Sequence, residues 1–343
     1  MTPERVSSVT DLDDLLSEPT PAVVESVRKG TGDLIVLGAG GKMGPTLARM
    51  ARRAIARAGS DRSVIAVSRF SNPETRDALE RHGIRTVACD LLDPEAVALL
   101  PDAGDVVYMA GMKFGASADP ALTWAENCLI PAFICRRYAG SRIAAFSTGN
   151  VYGLVPAGRG GSRETDEPAP AGEYAMSCLG RERLFQFFSA RTGTPVVLLR
   201  LNYACELRYG VLVDIARRVA AGEPIDLTMG YLNAIWQGDA NAMALCALDH
   251  AASPARILNI AGLEELRVRD LAEAFGRRFG RAPVFTGTEA PDALLSNGHE
   301  TARLLGAPRV AVERMIDWIA DWVMSGGPML DKPTRFEVRD GRF

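Results

Sequence analysis

The sequence predicts an α/β fold, a doubly wound parallel sheet with helices on both faces. From residue 33 onwards, short apolar runs alternate with amphipathic helical patterns, which is typical of such a sheet. The first run, residues 34–37, has no polar alternation, as expected of a strand that is buried on both faces. Three glycines follow it, Gly38, Gly41 and Gly44, and a helical pattern begins directly after them. This order of strand, turn and helix predicts a ligand site at the carboxyl end of the strand.

The glycine turn has the composition of a dinucleotide cradle. The first glycine allows a tight turn, the second lets the backbone approach a pyrophosphate, and the third lets helix and strand pack closely. The diphosphate then lies at the positive end of the helix. Lys42 and Met43 lie inside the turn, so we expect them to contact the cofactor together with the glycines. The flanking strand and helix favour this interpretation over an ordinary βα loop, and a Rossmann-type NAD(P)-binding domain is expected.

The pattern divides the chain into four parts. They are an N-terminal extension (1–32), the NAD(P)-binding domain (33–200), a smaller C-terminal α/β substrate-binding region interleaved with it (201–326), and a tail (327–343). Further strands are predicted at 63–67, 85–88, 105–109, 142–146, 195–200, 225–228 and 257–259. Helices are predicted at 11–16, 23–28, 74–82, 120–138, 174–190, 211–221, 240–250, 268–279 and 312–322.

Composition narrows the class of protein. The 343 residues are 47% hydrophobic and 24% charged, which is ordinary for a globular protein, and a net charge of −3 argues against a nucleic-acid partner. No apolar run is long enough to cross a bilayer, and the polar, acidic N-terminus is unlike a signal peptide, so we expect a cytoplasmic protein without a membrane partner. Six scattered cysteines without a CxxC pair indicate free thiols, and three isolated histidines predict no metal site.

Cofactor choice depends on the residues that follow the second strand. A carboxylate at this point binds the free ribose 2′-hydroxyl of NAD, whereas a cation accommodates the 2′-phosphate of NADP. The chain has Ser68 and Arg69 there and no acid. Arg69 can pair with a phosphate and Ser68 can add a hydroxyl, which favours NADP slightly over NAD. The alternative is that Arg69 is a solvated surface residue or stacks on adenine.

Polar groups follow the fifth strand. Ser147, Thr148 and Asn150 come at its carboxyl end, where hydroxyl and amide groups suit hydrogen bonding to a carbonyl or hydroxyl under reaction. Tyr174 begins a helix 26 residues after Thr148, and a phenol can move a proton if its pKa is tuned. On the pattern alone, Tyr174 is more simply a tyrosine of an amphipathic helix.

These motifs together resemble the extended short-chain dehydrogenase/reductases, the nucleotide-sugar epimerases and dehydratases. The resemblance rests on the glycine turn, on Thr148 followed by Val-Tyr-Gly, and on Tyr174 ahead of Gly180-Arg-Glu182, and it covers roughly residues 33–323. It implies that Thr148 holds the substrate oxygen, beside Ser147, and that Tyr174 is the acid/base.

The resemblance also implies further contacts with the cofactor. Asp90 and Leu91 resemble the pair that contacts adenine, and Ala110-Gly111 resembles the turn after the fourth strand. Asn127 falls where the family keeps a helix asparagine, and 237–240 resembles a segment ahead of a helix in the second domain.

One position departs from the family pattern. The family has a lysine four residues after the tyrosine, where it holds the nicotinamide ribose and lowers the phenol pKa, and this chain has Cys178. A charge at ~4 Å interacts by roughly 4 kcal/mol at an effective dielectric of ~20, or about three pKa units, and a neutral thiol supplies almost none of it. Lys113, in the loop after the fourth strand, is the best candidate for the missing cation, with a solvated loop lysine as the alternative. We expect Lys42 to meet cofactor phosphate.

A substrate wall and a dimer interface are also implied. In the relatives, the stretch after the sixth strand lines the sugar pocket, which points to Asn202, Tyr203 and Arg208, with Trp236 and Asn150 completing it. Relatives commonly dimerise through a four-helix bundle, so a homodimer is expected. The apolar residues that would form it are Leu129, Phe133, Ile134, Leu184, Phe185 and Phe188.

The sequence therefore predicts an NAD(P)-dependent oxidoreductase or epimerase that acts on a hydroxyl-bearing carbon of a sugar or sugar derivative. Hydride moves between that carbon and the nicotinamide, and Tyr174 moves the proton. The alternative is a catalytically impaired NAD(P)-binding protein with a regulatory or scaffold role, which lost turnover with the lysine.

Overall fold

Seven parallel strands form the central sheet of the computed structural model, which describes residues 3–113, 115–332 and 334–342. Their spatial order is β3-β2-β1-β4-β5-β6-β7. The chain therefore moves outward from β1 to one edge, crosses back to β4 and moves outward to the other edge, which confirms the doubly wound prediction. The strands are β1 Leu34–Leu37, β2 Val64–Ser68, β3 Arg85–Ala88, β4 Asp105–Tyr108, β5 Arg142–Thr148, β6 Val196–Leu201 and β7 Arg256–Ile260.

Helices cover both faces of this sheet because the side chains of a strand alternate between faces. Leu34 and Val36 of β1 belong to a core that includes helices α3 (Gly44–Arg57) and α10 (Gln237–Ala247). Ile35 and Leu37 belong to the opposite core, with α7 (Ile130–Arg137) and α8 (Gly172–Thr192). All four residues are fully buried, as the apolar run predicts. The helices on the sheet are α3 Gly44–Arg57, α4 Pro73–Arg81, α5 Pro94–Ala98, α6 Pro120–Trp124, α7 Ile130–Arg137, α8 Gly172–Thr192 and α10 Gln237–Ala247.

The helix after β4 is less regular than the sequence predicts. A π-helical turn, Ala125–Leu129, separates α6 from α7. Pro131 lies at the start of α7, and a proline has no N–H to donate and crowds the preceding turn, so the helix widens there. Asn127 lies inside this turn and is fully buried.

The N-terminal extension packs against the sheet domain. It forms two helices, α1 Val9–Leu16 and α2 Pro21–Lys29, whose first turns are capped by Ser8 and Thr20. The second helix packs on α3 and α10, and the Ser26 hydroxyl donates a hydrogen bond to the carbonyl oxygen of Leu245.

The region after β6 builds a second core and also contributes to the sheet. β7 and α10 join the sheet layers, whereas α9 Val211–Ala221, α11 Val268–Phe279 and α13 Val312–Met324 enclose their own apolar cluster. The predicted strand 225–228 is present as the shorter Pro224–Asp226. The sequence did not predict α12 His299–Leu305 or the other strands of two or three residues, because such elements are too short to show a period. Those strands are Val155–Pro156, Ala204–Cys205, Tyr231–Leu232, Ile235–Trp236, Leu266–Arg267, Val284–Thr286 and Asp292–Ala293.

Within the described ranges, none of the helices has the length and apolarity needed to cross a membrane.

Candidate active site

A cleft of about 370 Å³ opens at the carboxyl ends of β1, β4 and β5. The start of α8, the segment after β6 and the polar tail complete its walls. Its lining contains most of the predicted site, namely Gly38, Gly41, Lys42, Met43, Gly44, Ala110, Gly111, Lys113, Ser147, Thr148, Asn150, Tyr174, Asn202 and Tyr203. Residues that the sequence analysis did not single out also line it, among them Arg181, Tyr209, Lys332 and Thr334.

The three glycines differ in what surrounds them. Gly38 has a φ of +86°, and a Cβ there would lie 2.7 Å from the backbone nitrogen of Ala110. A Cβ on Gly44 would overlap the carbonyl group of Ala39. At Gly41 the nearest atom to an added Cβ is the Gly38 carbonyl oxygen at 3.5 Å, so the space above it is open. Gly38 therefore makes the tight turn, Gly44 allows the close packing, and Gly41 leaves room for a ligand, in the order that the sequence predicts.

Lys42 extends from the glycine turn into the cleft. Its ammonium lies over the ring of Tyr209. Burial, and then the positive charges of Lys113 and Lys332, lower the Lys42 pKa to about 7. Cations gathered in a partly buried cleft favour an anionic ligand.

Tyr174 lies in the cleft at the start of α8. Its phenol faces the Thr148 hydroxyl and the Cys178 thiol. Burial raises the pKa of the phenol well above its usual value, and the Cys178 thiol raises it further, whereas the Arg181 guanidinium and the Thr148 hydroxyl lower it. Thr148 also donates to Asn150 Oδ1 (2.9 Å) and accepts from the Asn150 backbone N–H (3.2 Å), which holds the hydroxyl in place.

Lys113 approaches the same tyrosine from the loop after β4. Its Nζ lies 5.9 Å from the centroid of the Tyr174 ring. Burial lowers the Lys113 pKa to about 8, against the opposing effect of Cys178 and Asp214. Lys113 therefore lies close to Tyr174, as its position after the fourth strand predicts.

Arg181 is a second cation in this part of the cleft. It is 6% exposed. Its Nη1 donates to the Phe146 carbonyl oxygen (3.0 Å), and its Nη2 donates to Asn127 Oδ1. Gly111, with a φ of +148°, leaves room for the guanidinium, because a Cβ there would collide with it.

Asn127 lies behind the cleft lining and holds the loop after β4. Its amide donates to the Met112 carbonyl oxygen (3.1 Å) and to Ser177 Oγ (2.9 Å), and its Oδ1 accepts the Met112 backbone N–H (3.1 Å). Cys178 also lies behind the lining, fully buried beneath Tyr174 against Val151.

Ser147 is bound to a buried ion pair. Its hydroxyl donates to Glu182 Oε1 (2.6 Å), and Glu182 pairs with Arg200 at 2.7 Å, both side chains being at most 2% exposed. Arg200 also lies over the ring of Tyr152, 4.6 Å from its centroid. Removing one partner of such a pair costs about 3–5 kcal/mol, so this network fixes the end of β5 beneath the cleft.

The residues predicted for the adenine side lie next to the cleft and outside its lining. Ser68 packs beside the glycine turn, where a Cβ on Gly40 would lie 2.5 Å from its hydroxyl oxygen. The exposed Arg69 faces Glu126 at 3.6 Å. Asp90 accepts the Leu92 backbone N–H at the end of β3, and Leu91 is buried.

Two predicted wall residues lie elsewhere. Arg208 is paired with Glu206 at 3.0 Å and Asp13 at 2.9 Å, so its charge is directed to α1. Trp236 is 1% exposed and packs on Trp318 in the second core, with ring centroids 5.3 Å apart. A single alternating stretch cannot distinguish wall residues from packing residues. Neither Arg208 nor Trp236 lines the cleft, so both assignments to the substrate wall are wrong.

A model of the NAD dependent epimerase/dehydratase family matches residues 34–261, from β1 to just beyond β7. The chain belongs to this family. It is therefore an enzyme of the NAD-dependent epimerase/dehydratase class, as the resemblance implies. A comparison with curated protein sequences found no significant match.

Solved structures of nucleotide-sugar epimerases are similar to this epimerase/dehydratase in fold. UDP-glucose 4-epimerase of Thermus thermophilus, in complex with NAD, is 22% identical with a TM-score of 0.68, over 84% of this chain and 98% of that one. UDP-glucose 4-epimerase of Thermotoga maritima, with UDP-glucose, is 18% identical with a TM-score of 0.70, over 86% and 99%. UDP-glucuronic acid 4-epimerase of Bacillus cereus, in complex with NAD, is 18% identical with a TM-score of 0.71, over 85% and 99%.

Proposed function

We propose that this epimerase/dehydratase acts on a hydroxyl-bearing carbon of a nucleotide-linked sugar, with Tyr174 as acid/base and Thr148 positioning the substrate oxygen. The observation that carries the proposal is that the Tyr174 phenol and the Thr148 hydroxyl face each other in the lining of the cleft next to the glycine turn. Two hydroxyl groups in contact can share one substrate oxygen, one holding it and the other exchanging its proton. The substrate class follows from similar structures, which were solved with UDP-glucose or UDP-glucuronic acid.

The glycine turn suits a dinucleotide. The open space above Gly41 and the ammonium of Lys42 fit a diphosphate, and the Gly38–Gly44 turn leads into the first turn of α3. A dinucleotide held by these residues would supply the hydride-transfer chemistry. The other residues proposed to hold the cofactor are Met43, Ser68, Arg69, Asp90, Leu91, Ala110, Gly111, Asn127, Tyr174 and Cys178.

Arg69 gives the proposed site a slight preference for NADP. Its side chain is exposed near the glycine turn and faces Glu126 at 3.6 Å, so a 2′-phosphate would compete with this carboxylate for the guanidinium. The Arg69 side chain is 64% exposed and this pair is long, so it contributes little and leaves Arg69 able to turn to a phosphate.

Substrate is proposed to lie on the side of the cleft away from the adenine residues. Asn150, Asn202 and Tyr203 offer amide and phenol groups to hydroxyls, and the tail adds Lys332 and Thr334. Lys113 is proposed to donate to the reacting oxygen or to a neighbouring hydroxyl.

The test is turnover with UDP-glucose and UDP-glucuronic acid in the presence of NAD or NADP, with products identified by NMR. Tyr174→Phe is expected to lose turnover by at least a hundredfold and to retain cofactor. Tyr138→Phe is the matched control, since that hydroxyl donates to the Pro101 carbonyl oxygen away from the cleft. Unchanged turnover in Tyr174→Phe would refute its role, and turnover of neither sugar would refute the substrate class. An impaired binding protein would bind the cofactor and convert nothing.

We also propose a homodimer formed through α6, α7 and α8. Ile134 and Phe185, which the sequence analysis assigned to this interface, are instead fully buried against the sheet. Exposed apolar side chains remain on these helices and the π-helical turn, namely Leu122, Trp124, Leu129, Met176 and Phe187. A dimer mass by light scattering that becomes monomeric in Leu129→Glu is expected, whereas a wild-type monomer at micromolar concentration would refute the interface.

A further inference from the structure

We propose that Arg181 is the positioning residue that replaces the lysine absent at Cys178, by placing a permanent positive charge beside Tyr174. The inference rests on the proposed role of Tyr174 as acid/base.

Helical spacing places the two side chains on one face. Tyr174, Cys178 and Arg181 follow one another at intervals of four and three residues, so they lie on the same face of α8. Cys178 lies beneath the phenol, and both Tyr174 and Arg181 line the cleft. The positive charge is therefore moved by one turn of the helix, from the family position to the next position on that face.

The guanidinium is held in place by neutral groups. Nη1 donates to the Phe146 carbonyl oxygen and Nη2 to Asn127 Oδ1, while Nε is buried without a partner in the described part of the chain. Among the described residues, no carboxylate forms an ion pair with Arg181. The buried acid on the same helix, Glu182, is paired with Arg200 instead.

A buried cation without a counter-ion is costly, and buried charges are normally paired. An anion that forms next to this guanidinium is therefore stabilised by it. The groups that face Arg181 are Tyr174 and Cys178 on its own helix, Tyr108 on β4, 5.7 Å from ring centroid to guanidinium carbon, and Cys128 on the π-helical turn. All of these are neutral in the resting protein, since burial raises the pKa of each. The phenolate of Tyr174 is the anion that the proposed reaction generates.

Lys113 does not make this charge redundant. It reaches Tyr174 from the loop after β4, and its pKa of about 8 means that it loses charge within the working range of an enzyme. An arginine keeps its charge throughout that range. Among the described residues, the Thr148 hydroxyl from β5 and the Cys178 thiol also face Tyr174. Arg181 thus provides a positive charge near Tyr174 that persists at alkaline pH.

The test reads the ionisation of the phenol directly and needs no turnover. A multiply fluorinated tyrosine at position 174, which is more acidic than tyrosine, is titrated by fluorine NMR in the full-length protein. Arg181→Met is expected to raise its pKa by at least one unit, a tenfold weaker acid. Arg181→Lys is expected to restore most of the shift. The matched control is Arg183→Met, because Arg183 is exposed on the same helix and bonded to Gln186.

A variant that moves the charge keeps the proposal testable if Arg181→Met does not fold. Cys178→Lys combined with Arg181→Ala returns the cation to the family position and is expected to give a phenol pKa within half a unit of the starting protein. The ascending limb of the pH–rate profile, which reports the phenolate that accepts the substrate proton, is expected to move with the phenol pKa in each variant.

An unchanged phenol pKa in folded Arg181→Met would overturn the proposal. A loss of cofactor affinity with an unchanged phenol pKa would also overturn it and assign Arg181 to cofactor binding. Failure of the sugar assays alone would count against the proposed function, because the titration is independent of any substrate.

Discussion

Cofactor binding by this enzyme is expected to depend on pH through Lys42. The side chain extends from the glycine turn into the cleft, and burial with the nearby Lys113 and Lys332 lowers its pKa to about 7. A diphosphate at the turn favours the charged form of the ammonium. Below pH 7 Lys42 is already charged, so binding takes up no proton there. Above pH 7 the free protein has a neutral Lys42, and binding must recover the proton from solution.

The size of the effect follows from the linkage between protonation and binding. Each pH unit above the free-protein pKa costs about 1.36 kcal/mol, or tenfold in affinity, until the pKa of the bound form is reached. If the bound ammonium returns to its reference pKa of about 10.4, NAD binds about a hundredfold more weakly near pH 9 than near pH 6, a cost of roughly 2.7 kcal/mol.

Calorimetry with NAD in two buffers of different ionisation enthalpy measures this proton directly. We expect uptake near zero around pH 5.5 and near one around pH 9 for the wild type. Lys42→Met should bind NAD weakly at both pH values with uptake greatly reduced. Lys29→Met is the control, because Lys29 lies on the outer helix α2 and its ammonium pairs with Asp249. Equal affinity of the wild type at both pH values, or full proton uptake by Lys42→Met, would show that another group is responsible.

Three further outcomes are expected. Gly41→Val should fold, since its Cβ meets only the Gly38 carbonyl oxygen at 3.5 Å, and should lose NAD binding in calorimetry; retained affinity would contradict the cradle. Arg69→Ala should weaken NADP by about tenfold to a hundredfold and leave NAD nearly unchanged, whereas equal losses would indicate stacking on adenine. Lys113→Met should lower turnover near neutral pH and have little effect well above pH 8, where Lys113 is already neutral; a rate unchanged at every pH would exclude the lysine from the reaction.

The parts of the fold that local pattern determines were predictable. The apolar run 34–37 and the three glycines predict β1, its turn and α3, because those residues satisfy local backbone and burial requirements on their own. Helices α9 and α11 begin and end where the amphipathic period does. The π-helical turn was not predicted, since the widening depends on how Pro131 is accommodated against neighbouring helices.

The candidate site was predictable where a motif names the residue. Thr148 and Tyr174, which the resemblance names, both line the cleft. Arg181 was missed, although its spacing of seven residues from Tyr174 places it on the same helical face and was the signal available. Lys332 and Thr334 reach the cleft through tertiary packing, including the hydrogen bond from the Thr334 hydroxyl to Asp214 (2.6 Å), which no local pattern reports.

The contact between α2 and α10 has a consequence for how the chain is made. Ser26 and Leu245, joined by a hydrogen bond, are separated by 219 residues. At about 5–20 residues per second, a ribosome needs roughly 10–45 s to reach Leu245 after it has added Ser26. Val23 and Val27 can meet α3 early, but the other surface that buries them does not exist during that interval. The nascent chain therefore carries the apolar side of α2 only partly covered through most of its synthesis, which makes this segment a natural target for chaperones that act at the ribosome.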